Sequence, residues 1–359
     1  MKKTLSLFLA VCAAAPLFAQ VRNSIDIPDL KGYVTLKCDF HIHTVFSDGL
    51  VWPTVRVDEA YREGLDAIAI TDHIEYRPHK NDLVASHNRS YEIAKASAQS
   101  KGIILIHGSE ITRSMPPGHS NALFLTNSDE LDKSDYKDAF RAAQAQNAFI
   151  FWNHPCWDAQ QPDTTLWWPE HSQLLEQGLM QGIEVVNEGN YCPEAHRWCL
   201  EKKLTMLGNS DIHQPMQAEI DFASGKHRPM TLVFARSATA EGIREALLER
   251  RTAIYNDEYI IGEEKYLKEL FENALEWEVK KTNEAVHFKI KNKSSLIFHL
   301  KKTDHDPRLV YFRDFTIVPH GEHSFTVSLK GGVKGGRVNF IVENFLVQPN
   351  EGMSYTVEI

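Results

Sequence analysis

Asp39-Phe40-His41-Ile42-His43-Thr44 ends the first of a series of short apolar runs, and the reading of every later run depends on it. The run itself, Tyr33 to Phe40, reads as a strand. His41 and His43 stand two apart where it ends, so both imidazoles point the same way and can share one ion. Further apolar runs follow at Ala67 to Thr71, Ile103 to Ile106, Asn121 to Leu125, Ala148 to Trp152, Ile183 to Val186, Thr205 to Leu207 and Met230 to Ala235. Amphipathic stretches that suit helices lie between several of them, at Val55 to Glu63, Asn88 to Ser100, Tyr136 to Gln146 and Glu194 to Lys202. The alternation predicts parallel strands covered by helices, in an α/β barrel that is closed or nearly so.

His, Asp and Glu residues recur where these runs end. Ser47-Asp48-Gly49 lies in the loop beyond the first, the second ends Thr71-Asp72-His73, and the third ends His107-Gly108-Ser109-Glu110. Gly118-His119-Ser120 precedes the fourth, Asn153-His154 closes the fifth, and Asn209-Ser210-Asp211-Ile212-His213 follows the seventh. In a parallel α/β barrel the strand C-termini converge on one face, so ligands scattered along the chain become neighbours in space. A lone His at a strand end is more often structural, but this coincidence points to a metal site. The mixed imidazole and carboxylate set suits zinc, manganese or iron; calcium or magnesium alone would favour oxygen ligands. The sequence contains neither a P-loop Gly-x-x-x-x-Gly-Lys nor a Gly-x-Ser-x-Gly elbow, which removes nucleotide-triphosphatase and serine-esterase readings.

The ordered set His41-x-His43-Thr44, Ser47-Asp48-Gly49, Thr71-Asp72-His73, Glu110, His119, His154 and Asp211-x-His213 resembles the polymerase and histidinol phosphatase (PHP) family, over residues from about 35 to 236. The resemblance implies a distorted seven-stranded (β/α)7 barrel that holds two or three divalent ions and hydrolyses phosphoesters. It implies a first metal held by His41, His43, Glu110 and Asp211, with Glu110 bridging to a third ion completed by His119 and His154. A second ion would use Asp48, His73 and His213, and Asp48 stands where many three-metal members have His. Asp72 is expected to accept a hydrogen bond from a ligand imidazole and fix its tautomer. A metal-bridging hydroxide would attack phosphorus, with Glu110 and Asp211 organising the metals and His213 helping the leaving group depart. The expected substrate is a small phosphodiester or phosphomonoester, with a lean to the diester. Arg77, His79, Arg89 and Arg113, in or near the loops after the second and third runs, are candidates to bind its phosphate. Trp157 and Trp167 are candidates for an apolar wall. Two alternatives stay open: an amidohydrolase-type metallohydrolase acting on a non-phosphate bond, and a non-catalytic module that binds glycan or protein.

Composition bounds the partners. A net charge of -9 gives no general attraction to nucleic acid or anionic membranes, so an anionic substrate must be captured locally and no nucleic acid polymer is expected. Met1-Lys2-Lys3, the apolar run Leu5 to Ala15 and Pro16-Leu17-Phe18-Ala19 read as a secretory signal peptide over residues 1–19, cleaved after Ala19. The run is too short for a membrane anchor, and Val11 before Cys12 is a poor lipidation context. The protein is therefore expected to be exported, to the periplasm. Cys192 and Cys199 would lie about 10 Å apart along a helix, too far for a bond, and Cys38, Cys156, Cys192 and Cys199 are all predicted to be free buried thiols. The barrel is assigned to residues 20–262. Residues 263–359 are read as a last helix, Glu263 to Trp277, and a small C-terminal β-sandwich. Its alternating strands are visible at Val286 to Ile290, Ser324 to Leu329 and Val338 to Val342.

Overall fold

The computed structural model describes residues 21–303 and 306–359, and the stretch read as a signal peptide lies outside the described residues. The N-terminal half contains strands β1 (Val34–Asp39), β2 (Ala67–Ile70), β3 (Ile104–Ile111), β4 (Ser120–Leu123), β5 (Phe149–Trp152), β6 (Gly182–Asn187), β7 (Asn190–Tyr191), β8 (Thr205–Asn209), β9 (Met230–Ala235), β10 (Thr252–Asn256) and β11 (Tyr259–Gly262). Helices α1 (Pro53–Arg62), α2 (Arg89–Lys101), α3 (Tyr136–Ala145), α4 (Pro169–Glu176), α5 (Pro193–Lys202), α6 (Met216–Glu219) and α7 (Ala240–Leu248) lie between them. Strands β2, β4 and β5 are buried throughout, as covered barrel strands must be.

Strands β1, β2 and β3 are parallel neighbours, and so are β5, β6 and β8. Between the two sets β4 runs antiparallel to both β3 and β5, which corrects the expectation that every run is parallel. The link from Ile111 to Ser120 is too short for the crossover that a parallel neighbour requires. The reversal puts the N-terminal end of β4 at the same mouth as the C-terminal ends of the other strands. There the ring closes through a parallel bridge between Ile42 and Ile212: His43 N donates to Ile212 O at 3.1 Å and Asp211 N to His41 O at 2.9 Å.

Below the mouth the ring is wedged open. β9 pairs antiparallel with β1 from Val34↔Ala235 to Cys38↔Thr231 and takes the edge that β8 would occupy. This is the distortion of the barrel, and it leaves backbone groups of β8 in need of partners. Threonines supply them: Gly208 N donates to Thr231 Oγ1 and Thr231 Oγ1 to Gly208 O, each at 3.0 Å, while Thr252 Oγ1 donates to Met206 O at 2.9 Å. The crossing is tight, since a Cβ on Gly208 would come within 2.3 Å of Ile254 Cγ2.

Cys156 and Cys192 form a disulfide with a Cα–Cα distance of 5.7 Å, which corrects the expectation of free thiols at these two positions. The bond links partners 36 residues apart, and the pairing of β5 with β6 brings the loop after β5 beside the turn before α5. Cys38 and Cys199 are free and buried, as expected.

Beyond β11, the helix α8 (Glu264–Ala274) buries Leu267, Leu270, Phe271 and Ala274 on one face. It stops before the predicted end at Trp277 because Leu275-Glu276-Trp277 already follows strand alternation and pairs with residues 290–292. The strands that follow are β12 (Leu275–Lys281), β13 (Ala285–Asn292), β14 (Phe298–Lys302), β15 (Leu309–Val310), β16 (Asp314–Ile317), β17 (Glu322–Leu329), β18 (Arg337–Gln348) and β19 (Glu351–Glu358). One sheet has the order β12-β13-β17-β15, and its inward Phe288 and Phe325 stack with ring centroids 4.7 Å apart. The facing strands, β16-β14-β18 with β19, are not a separate sheet. β18 pairs in parallel with β11 at Ile260↔Phe345 and Ile261↔Leu346, so one sheet runs from the barrel into the sandwich.

Candidate metal centre

The barrel mouth collects the strand-end residues. His41 and His43 extend β1, His73 extends β2, Glu110 lies in β3, His119 precedes β4, His154 follows β5, and Asp211 and His213 extend β8. Asp48 enters from the loop after His43. That loop turns at Gly49, where a Cβ would fall 2.6 Å from the His43 carbonyl carbon, so only glycine lets the Asp48 turn rest on the extension that carries His43. His154 (φ 31°), Asp211 (φ 51°) and Glu188 (φ 50°), which stands beside them, all adopt left-handed backbone. Such residues cluster where surrounding structure over-determines them, commonly at functional sites.

Three groups of donor atoms converge: His41, His43 and Asp211; His73, Glu110 and His119; and His43, Asp48, His73 and His213. His41 Nε2 lies 3.2 Å from Glu110 Oε2 and 3.0 Å from Asp211 Oδ1, and His43 Nε2 lies 3.3 Å and 2.9 Å from the same two atoms. Glu110 Oε1 faces the other way, 2.8 Å from His119 Nδ1 and 3.9 Å from His154 Nε2. Asp48 lies 3.4 Å from His73 Nε2 and 3.3 Å from His213 Nε2.

Two observations test whether these residues fit divalent ions. Ligand distances of about 2.0–2.2 Å place neighbouring ligand atoms about 3.0–3.4 Å apart on an octahedron or tetrahedron, which is close to the first and third spacings above. In addition, His43 Nε2, Asp48 Oδ1, Glu110 Oε1, His119 Nδ1, His154 Nδ1 and Asp211 Oδ1 are buried without a hydrogen-bond partner despite their crowding. Buried polar atoms are seldom left so, and a cluster of them aimed at one space is what cations would satisfy. The electrostatics agree. Burial opposes ionisation of Glu110 and Asp48, yet the imidazoles of His73 and His41 hold Glu110, and those of His213 and His73 hold Asp48, well below the usual carboxylate range. Burial likewise opposes charge on His213, but Asp48 and Asp211 push it up to about 9. His43, desolvated beside His73, is held down at about 4, whereas the neighbouring carboxylates raise His41, His73 and His154 against their burial.

A second layer orients these groups. Glu184, buried in β6, accepts from His41 Nδ1 at 2.8 Å, from Asn209 Nδ2 at 2.9 Å, from His154 N at 2.8 Å and from Asn187 Nδ2 at 2.9 Å. It fixes the His41 tautomer so that Nε2 faces the cluster. The sequence reading passed over Glu184, although a carboxylate inside the apolar run Ile183-Glu184-Val185-Val186 was the available signal. Asp72 was expected to bond a ligand imidazole directly. Instead it accepts from Thr44 N at 2.7 Å, Thr44 Oγ1 at 2.8 Å and Ser47 Oγ at 2.8 Å, and Ser47 Oγ stands 3.4 Å from His43 Nδ1. The short side chain of Asp72 therefore holds the loop that carries Asp48 and reaches the imidazole only through Ser47.

Two buried arginines were also missed. Arg56 of α1 donates to the carbonyls of His43 (2.8 Å), Ile212 (3.0 Å), His213 (2.8 Å) and Gln214 (2.8 Å), tying the β1 and β8 extensions together. Arg228 bridges Asp39 at 2.8 Å and Glu63 at 2.7 Å beneath the mouth.

The metal groups line a cavity of about 350 Å³ with Tyr76, Thr112, Trp157, Asn187 and Glu188. Trp157 stands 5.0 Å from the His154 ring and is 44% exposed, in keeping with an apolar wall, whereas Trp167 packs on Trp198 away from the cavity. None of Arg77, His79, Arg89 and Arg113 is on the cavity wall. Arg77 donates to Ala85 O, Arg89 pairs with Glu92, and Arg113 pairs with Glu75 and donates to Lys133 O, so the arginines are engaged elsewhere.

Comparison with known proteins follows the same division of the chain. Residues 39–177 match the model of the PHP domain, and residues 272–358 match that of an Ig-like domain. A crystal structure of a two-domain protein from Bacteroides vulgatus, described as containing a predicted PHP-like metal-dependent phosphoesterase, is 58% identical, with a TM-score of 0.94. The match covers 95% of this chain and 100% of that one. A 5'-3' exoribonuclease of Haemophilus influenzae is 35% identical over 79 residues, 22% of this chain, and the match spans only 24% of that relative's length.

Proposed function

The chain belongs to the PHP-like metal-dependent phosphoesterase family, and on that premise we propose that it hydrolyses small organic phosphate esters, phosphodiesters ahead of phosphomonoesters, with two or three zinc, manganese or iron ions. The observation that carries this reading is the set of buried nitrogen and oxygen atoms without hydrogen-bond partners, shared among His43, Asp48, Glu110, His119, His154 and Asp211. His41, His43, Glu110 and Asp211 would hold one ion, Asp48, His73 and His213 a second, and Glu110, His119 and His154 a third. When bound, the ions supply positive charge that acidifies water and offsets the charge building on the phosphoryl oxygens.

The chain's own groups do the rest. Glu110 presents its two oxygens to different histidines, which sets the spacing of the sites. Glu184 and Asp211 orient His41. His213 donates Nδ1–H to Asp211 O at 2.7 Å and so turns Nε2 to the mouth beside Asp48, toward the second ion it would help to hold. Preference for diesters rests on charge. Among the described residues the cavity wall has no Lys or Arg, and Glu188 on that wall opposes the second negative charge of a monoester. We further propose an exported, periplasmic protein. The Cys156–Cys192 disulfide suits an oxidising compartment, and among the described residues no helix is long and apolar enough to cross a membrane.

Purified full-length chain loaded in turn with manganese, zinc and iron, then assayed on para-nitrophenyl phosphate mono- and diesters, tests the activity. Turnover is expected, faster for the diester. Absence of turnover across all three metals, with metal uptake verified by elemental analysis, would sink the reading.

A further inference from the structure

A second cavity, of about 920 Å³, lies beside the metal cavity and is much the larger of the two. The segment 210–213 is the wall between them: Asp211 and His213 line the metal side, Ser210 and Ile212 the other, and Glu188 lines both. The large cavity is built by two domains. Part of its apolar floor is Ile261 of β11 and Leu346 of β18, which are paired partners across the seam where the barrel sheet continues into the sandwich. Glu343 and Asn350 of the sandwich also line it, so the cavity is incomplete without the C-terminal domain.

From this juxtaposition we infer that the interdomain cavity binds a neutral, polyhydroxylated group of the saccharide class; resting on the phosphoesterase reading, this is the organic group that carries the ester. The lining decides the class. Carboxylates from Glu188, Glu219 and Asp257, beside a Glu343 already paired with Lys301 at 2.9 Å, stand against Lys226, which disfavours an anion. Asn256 and Asn350 add amide groups to the lining, and Tyr191 and Tyr259 add aromatic rings. A saccharide matches that arrangement, with C–H faces for the apolar and aromatic surfaces and a rim of hydroxyls for the carboxylates and amides. The volume lies within the range of small-molecule sites. The metal cavity is the smaller of the two, and Glu188, which lines both, marks the side on which a substrate held at the metals would reach the larger one.

The test uses the full chain stripped of metal, titrated with methyl glucoside, methyl mannoside, choline and inorganic phosphate, and read by saturation-transfer NMR. The glycosides are expected to bind. Lys226→Trp, which fills the cavity from an exposed position that does not line the metal cavity, should weaken binding at least about tenfold with Tm unchanged, and Tyr259→Ala should weaken it as well. In the manganese-loaded chain, KM for the para-nitrophenyl diester of a hexose phosphate should lie about tenfold below that for the methyl analogue, and Lys226→Trp should erase the difference. Failure of the glycosides to bind, binding indifferent to both substitutions, or a preference for choline or phosphate overturns the inference. Equal KM for the two diesters overturns the cavity's part in catalysis. Glycoside binding that both substitutions weaken, without turnover of either diester, supports the cavity and sinks the phosphoesterase reading instead.

Discussion

Glu184 shows how a single buried side chain determines what its neighbours can do. It accepts from His41, Asn209, Asn187 and the backbone of His154, so both sides of the metal cluster depend on it. Glu184→Gln keeps the shape but loses the carboxylate that orients His41. We expect metal affinity to fall about 10- to 100-fold in competition titrations against a chelator, with the far-ultraviolet circular dichroism unchanged. Arg228 belongs to a different class, since it touches no metal-site residue but neutralises Asp39 and Glu63 in the interior. Arg228→Met would leave two carboxylates buried without their partner and cost about 3–5 kcal/mol in urea unfolding. The candidate ligands were legible in the sequence because His, Asp and Glu at strand ends are conspicuous. Glu184, Arg56 and Arg228 were not, because a buried charge inside an apolar run or on a helix resembles an ordinary surface residue until its partners are seen.

At the scale of elements, period and punctuation located most strands and helices. What they could not give was direction. Strand β4 carries the same apolar signature whichever way it runs, and only the short Ile111–Ser120 link hints at the reversal that delivers His119 to the mouth. The wedge of β9 between β1 and β8 was equally hidden, since its outcome rests on Thr231 and Thr252 hydroxyls that no periodicity reports. Disulfide pairing also needs the third dimension. The Cys156–Cys192 bond fastens the loop after β5, which carries His154 and Trp157, to the turn before α5. For a separation of 36 residues, loop-closure entropy predicts that Cys156→Ser lowers stability by about 4 kcal/mol, measured by denaturant unfolding against the same variant of Cys199, which is free.

At the scale of the molecule, the two family models meet in one sheet. Core residues from the barrel, such as Leu232 and Phe234, belong to the same hydrophobic cluster as Phe288, Phe325 and Phe340 of the sandwich. We therefore expect limited proteolysis to release no stable barrel fragment, and thermal unfolding to follow one transition; two separate calorimetric transitions would contradict this. The sequence reading set a boundary at residue 262, after a change of texture beyond Arg251, whereas the hydrogen bonding runs on from β11 to β18.

The parallel seam between β11 and β18 has one more consequence, which concerns solubility. With the sandwich removed, β11 would become an open edge bearing Tyr259-Ile260-Ile261, an apolar template for strands of other molecules. The sandwich thus covers an edge that would otherwise invite aggregation.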